Sequence, residues 1–141
     1  MISALDISTS GLIAQRARIN AISSNLANMS TVRNENGEVE PYQARYVIFE
    51  TDNSLETSHG AIGVKVSSVE TESVEPLYKY QPNHPLAIQR EGSLKGYVAY
   101  PNINMTMEFV DALEATRAYE ANIGVIEVTK DMAQQTLRIL A

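Results

Sequence analysis

The chain has 141 residues, 44% of them hydrophobic and 20% charged, which suits one domain or a small domain with helical extensions and excludes wholesale disorder. Its net charge of −6 and isoelectric point near 4.9 exclude the basic face that neutralises phosphates, and so speak against nucleic acid or an anionic membrane as partner. With no cysteine there is no disulfide framework, thiolate metal site or cysteine nucleophile, and no apolar run reaches the roughly 18 residues that direct membrane insertion requires.

Residues 1–6 lack the basic region and following apolar run of a cleavable secretory signal, so a chain of this kind that leaves the cytoplasm needs another route. Over residues 3–29 the large apolar residues Leu5, Leu12, Ile19 and Leu26 recur every seven positions, with Ile22 and Met29 in a neighbouring row. That spacing predicts a helix with a heptad stripe. Ser3 followed by Asp6 reads as a capping arrangement at its start, and Arg16 and Arg18 lie off the stripe. Gly11 sits within the helix at a penalty of about 1 kcal/mol relative to Ala; it is either a tolerated defect or the mark of close approach by another backbone. From Ser23 onward Ser, Thr and Asn accumulate through Asn36 and Gly37, and these residues compete for backbone hydrogen bonds and favour turns. The helix is expected to end near Met29.

The middle carries short β-type runs. Tyr46-Val47-Ile48-Phe49 is the first, and Ile62, Val64 and Val66 alternating with Gly63, Lys65 and Ser67 is a clearer second, because a period of two sets one apolar face against a core. Tyr78 and Tyr80 around Lys79 make a third run and Tyr97-Val98-Ala99-Tyr100 a fourth, separated by the loop signal Gln81-Pro82-Asn83-His84-Pro85. Glu35, Glu38, Glu40, Glu50, Asp52, Glu56, Glu70, Glu72 and Glu75 face only Arg45 and Lys65 within that stretch, which makes it a solvated anionic region. At about 60 residues such a β unit is marginal alone.

Pro101 closes the last run, and Asn102 or Asn104 can cap a second helix reaching to about Leu140. Glu108 and Asp111 near its start and Arg138 near its end match the helix dipole. Met105, Ala112, Tyr119, Ile126, Ala133 and Leu140 are seven apart, with Phe109, Ile123 and Leu137 in a companion row. Glu114 with Arg117, and Glu127 with Lys130, add i,i+3 pairs of a few tenths of a kcal/mol. The expected fold class is α+β: long N- and C-terminal helices forming a coiled-coil-like helical domain (residues 1–31 and 102–141), with a small, mainly antiparallel β insert (residues 32–101) between them. Two-helix packing leaves Ile13, Leu113, Val125, Val128 and Met132 off the seam, and apolar patches of that extent mark interaction surfaces. The helical ends are therefore expected to be loose alone and to order in an assembly.

No catalytic constellation emerges. His59 and His84 have no metal-ligand spacing, the glycines at 60, 63, 92 and 96 are followed by no Lys-Ser/Thr, and Glu70 with Glu72 reads as a solvated strand edge. No cofactor is implied. A coiled-coil adaptor closing into a discrete oligomer is the alternative reading; a small hydrolase using the middle carboxylates is the weakest.

Gly11-Leu12-Ile13-Ala14-Gln15-Arg16, followed by Ile22-Ser23-Ser24-Asn25-Leu26-Ala27-Asn28 and Thr31, resembles the N-terminal motif of flagellar rod and hook proteins, a Gly-Leu-x-Ala run and then an Asn-[Ile/Leu]-Ala-Asn box. Asn83-His84-Pro85, the block from Gly96 to Asn104, and Ala115-Thr116-Arg117-Ala118-Tyr119-Glu120-Ala121-Asn122 are similar to the short proximal-rod members of that family; Lys130, Met132-Ala133-Gln134 and Leu137 continue the likeness. Ser24 departs from the box, which often has a second Asn there, and Leu86-Ala87-Ile88 is unusual after Pro85. The resemblance implies a non-enzymatic structural subunit of the basal-body rod, located in the periplasmic space and exported through the flagellar type III apparatus without a cleaved signal. Its implied partners are other proximal and distal rod proteins, the membrane-ring and rod-junction proteins and the export apparatus. Stripes and resemblance together set the expected assembly interface at Leu5, Gly11, Leu12, Ile19, Ile22, Asn25, Leu26 and Asn28 on the first helix, and at Phe109, Ala112, Arg117, Tyr119, Asn122, Ile123, Ile126, Ala133, Leu137 and Leu140 on the second. For Asn25 and Asn28 two readings stand, capping of a helix end or bonding to a neighbouring subunit's backbone. Arg117, Tyr119 and Asn122 invite the same choice between a role within the chain and one between subunits.

Overall fold

The computed structural model describes residues 2–57 and 60–140, with side chains over residues 4–57 and 60–139. Helix α1 (Ile2–Ala27) ends within the Ser/Asn-rich stretch that begins at Ser23. Its Ser3 cap lies outside the described side chains. Asn28 closes the last turn: its backbone amide and its Nδ2 both donate to the Ser24 carbonyl, at 3.0 and 2.9 Å, and its Oδ1 accepts from the Thr31 hydroxyl at 3.1 Å.

Strands β1 (Arg45–Asp52) and β2 (Gly63–Thr71) pair antiparallel, Arg45 opposite Thr71 and Asp52 opposite Gly63, with a bulge between Ile48 and Phe49. A one-turn 3-10 helix (Asn53–Leu55) follows β1, capped by Asp52, whose carboxylate accepts from the Ser54 hydroxyl at 2.6 Å and the Ser54 amide at 3.1 Å. Those two bonds hold the Asp52 carboxyl below its ordinary pKa. Strands β3 (Leu77–Tyr80) and β4 (Tyr97–Tyr100) form a second antiparallel pair. Helix α2 (Met105–Leu140) is capped by Asn104, whose Oδ1 accepts from the amides of Thr106 at 3.0 Å and Met107 at 3.3 Å. Asn102, the other candidate, donates instead to the Glu75 carbonyl.

The α+β layout with a helix at each end is present, but the coiled-coil-like helical domain is not. The helices lie antiparallel, with Asn25 beside Glu108, Arg18 beside Asp111 and Glu114, and Gly11 beside Asn122. A coiled coil seats large apolar knobs in its seam. Here the buried residues of α1 are Ser8, Ala14, Ala21, Ile22 and Asn25, and on α2 Ala115 is 0% exposed. Leu5, Leu12, Ile19 and Leu26 are only half-buried, and Phe109 and Leu137 are 54% and 67% exposed. Every row of a helix repeats near seven residues, so the period does not select which row faces the partner. Small side chains let helix axes approach closely, and the seam follows them.

The strands of the insert pair antiparallel. Two separate two-stranded sheets are present among the described residues, and because an isolated hairpin is marginal, each leans on something else. β1 and β2 rest on α1, where Ser10 Oγ accepts from the Val64 amide at 3.1 Å while donating to the Ile7 carbonyl at 2.7 Å. β3 and β4 gather Val32 and Ala87 around the fully buried Val98, with Leu86 and Tyr100 packed against them.

Candidate functional site

The seam between α1 and α2 is tight at Gly11, where a Cβ would stand 3.0 Å from the amide nitrogen and oxygen of Asn122. What approaches the glycine is that side chain, held by its own bond from Nδ2 to the Ala118 carbonyl at 2.9 Å. Seven residues along α1, Arg18 Nη2 reaches Glu114 at 3.1 Å and Asp111 at 3.3 Å. These part-exposed pairs contribute at most about 1 kcal/mol each, but they fix the helix register. Glu114 thus engages the opposite helix.

Asn25, 3% exposed, is where three elements meet. Its Oδ1 accepts from the Arg45 amide at 2.8 Å and the Tyr42 hydroxyl at 3.2 Å; its Nδ2 donates to the Arg45 carbonyl at 2.9 Å and to the Glu108 carboxylate at 3.2 Å. The amide therefore pairs with both peptide groups of Arg45 as a neighbouring strand would. Ser24, at the position where the box departs from its family, shares a 3.0 Å hydrogen bond with the same Tyr42 hydroxyl. Beside this junction lies a cavity of about 380 Å³ whose lining includes Arg18, Arg45, Glu72, Glu108 and Asp111. Burial raises the Glu108 pKa, the bond from Asn25 opposes that rise, and Asp111 and Glu72 add to it.

The remaining expected interface residues divide by exposure. Ile22 is buried with Asn25, and Asn28 is half-buried in its capping role. Ala112, Tyr119, Asn122, Ile126 and Ala133 lie half-buried along one side of α2, while Phe109, Arg117, Ile123 and Leu137 are exposed; the Leu140 side chain lies outside the described residues. Further large apolar residues of α2 face outward, among them Met107, Val110, Leu113, Val125, Val128 and Met132, and Ile139 is 84% exposed. With 36 residues against 26, α2 outruns α1 by roughly 15 Å at about 1.5 Å per residue. Since Glu108 is level with Asn25, the excess lies beyond the start of α1.

Sequence reasoning missed Ser10, Arg18, Tyr42 and Glu108 as contact residues. A usable signal existed for the seam alone, in Ala14 with Ala21 and in Glu108, Ala115 and Asn122, all seven apart. Among the described residues no group of three or more His, Asp or Glu could hold a metal ion, and no helix is long and apolar enough to cross a membrane. His84 Nδ1 accepts from the Leu86 amide, and His59 lies outside the described residues. Glu70 is bonded by the Tyr46 hydroxyl and Ser68, and that bond with the carboxylate's charge raises the Tyr46 pKa.

Comparison with known proteins meets both helices. Residues 5–33 match the family model for the flagella basal body rod protein, and residues 94–139 match that for the flagellar basal body rod FlgEFG protein C-terminal region. The chain is 39% identical to the flagellar basal-body rod protein FlgC of Borreliella burgdorferi and 39% identical to that of Salmonella typhimurium, in each case over 99% of this chain and 97% of the relative. It is 36% identical to the FlgC of Bacillus subtilis over 96% of this chain and 95% of the relative. With family matches on α1 and on β4 with α2, and relatives aligned across the whole intervening β region, the chain belongs to the FlgC family of flagellar basal-body rod proteins and is a structural subunit of the basal-body rod.

Proposed function

We propose that this chain is a purely mechanical subunit of the proximal rod, built into a helical shaft by its two terminal helices and passing torque to its neighbours through non-covalent packing. In this reading residues 1–31 and 102–141 form the wall of the shaft, and residues 32–101 lie further out. Its neighbours are other proximal and distal rod proteins and the ring or junction proteins around the shaft; it reaches the periplasmic space through the flagellar type III apparatus. Contacts between unlike faces extend into an open helix when the rotation between subunits does not close. The observation that carries the reading is the outward apolar side of α2, from Met107 to Ile139, because a surface of that extent in a small chain is one that a partner covers.

Val128, 60% exposed, gives the test. Val128→Asp leaves the lone chain folded, with unchanged circular dichroism, since the new carboxylate meets water. In cells carrying it as the sole copy it abolishes swimming in soft agar and leaves basal bodies without a completed rod, because an unpaired charge buried at an interface costs about 3–5 kcal/mol. Normal motility would sink the proposal.

A further inference from the structure

The geometry points to Asn25 as a latch that joins the docking of α2 on α1 and the docking of the β1–β2 hairpin on α1 into one cooperative event. The inference concerns the chain by itself and does not depend on its place in the rod.

Without Asn25, the described side-chain hydrogen bonds from α1 to the hairpin and from α1 to α2 are separate: Ser10 holds Val64, and Arg18 holds Asp111 and Glu114. Asn25 spans both sides. Two of its bonds hold the backbone N–H and C=O of Arg45, the first residue of β1, and another holds Glu108 in the first turn of α2. A buried amide with all its positions occupied is locked in rotamer and orientation. If α2 departs, Nδ2 loses a charge-assisted bond, the site opens to water, and the side chain regains freedom at the point where it holds Arg45. The hairpin end at Arg45 and Thr71 then loosens, although no change has been made to either strand. Glu108 is the α2 end of the link, reached by Nδ2 at 3.2 and 3.3 Å.

Amide hydrogen exchange of the full-length chain tests this at single-residue resolution, with the Arg45 amide as reporter and the Val64 amide as internal reference. Glu108→Ala is expected to speed exchange at Arg45 on the order of tenfold, the scale of a lost bond to a charged group, and to leave Val64 unchanged. Glu108→Gln keeps an acceptor for Asn25 and is expected to return Arg45 to within about twofold of the parent chain, as a neutral bond retains most of the geometry. Glu114→Ala removes an α1–α2 contact that does not pass through Asn25, and is expected to leave Arg45 unaffected. An unchanged Arg45 in Glu108→Ala overturns the inference. So does an equal acceleration at Val64, or an equal effect of Glu114→Ala, since either means that the hairpin responds to loosening of the whole helix pair.

Discussion

Gly11 and Asn122 form a pair in which each residue explains the other. A methyl group at position 11 would press on the Asn122 amide at 3.0 Å, a contact that a side chain relieves only by shifting, while removing glycine from a helix interior is worth about 1 kcal/mol. Gly11→Ala is therefore expected to be close to neutral alone and to stabilise by about 1 kcal/mol in an Asn122→Ala background, as read from urea midpoints in a double-mutant cycle. Glu108 supplies the pH dependence. Its folded pKa lies above the ordinary 4.5, so the folded chain holds that proton more tightly than the unfolded chain does. The stabilisation is complete below about pH 4.5 and is lost as pH rises through the raised value. Chemical denaturation at a series of pH values should show the parent chain most favoured over Glu108→Gln at the acid end, with the advantage shrinking toward neutrality. The box that holds Asn25 was visible in the sequence. Its partners were not, because Arg45 and Glu108 stand 20 and 83 positions away and no local spacing connects them.

At the scale of elements, the strands were readable because alternation, Pro101 and the Gln81–Pro85 loop punctuate them, and all four formed close to where the pattern put them. The seven-residue period located both helices but did not select the tightest part of the seam: size drew attention to Leu12, which is half-buried, and Leu137, which is exposed, while Ala14 and Ala115 are buried there. The division of the insert into two sheets was illegible for a related reason: pairing depends on supports outside the strands, such as Ser10 and Val32, and nothing in a strand's own sequence names its support. Ser10→Ala tests one of them. It strands the Val64 amide, which donates to Ser10 at 3.1 Å, and is expected to destabilise the chain by about 1–3 kcal/mol. The loss should appear in thermal or urea unfolding, and Ser10→Thr, which keeps the hydroxyl, should recover part of it.

Across the whole molecule the helices are unequal partners. The final part of α2 runs past the start of α1, and its large described apolar side chains, Met132, Leu137 and Ile139, are each more than half exposed. They contribute little to the fold of the lone chain. Ending the chain after Asp131 is expected to change unfolding free energy by no more than about 0.5 kcal/mol, the range of surface changes away from packed groups. The same truncation should leave cells immotile, separating stability from assembly in one variant.

The paired strands carry one more consequence. In a ribbon two strands wide neither strand is interior, so each leaves a row of amides and carbonyls without a sheet neighbour, a template on which another chain could zip. Glu50, Asp52 and Glu70 line the first ribbon against Arg45 and Lys65, and the whole chain carries a surplus of acid. That surplus guards the open margins by repulsion at neutral pH. The guard is lowest near the isoelectric point, where like chains no longer hold one another at a distance.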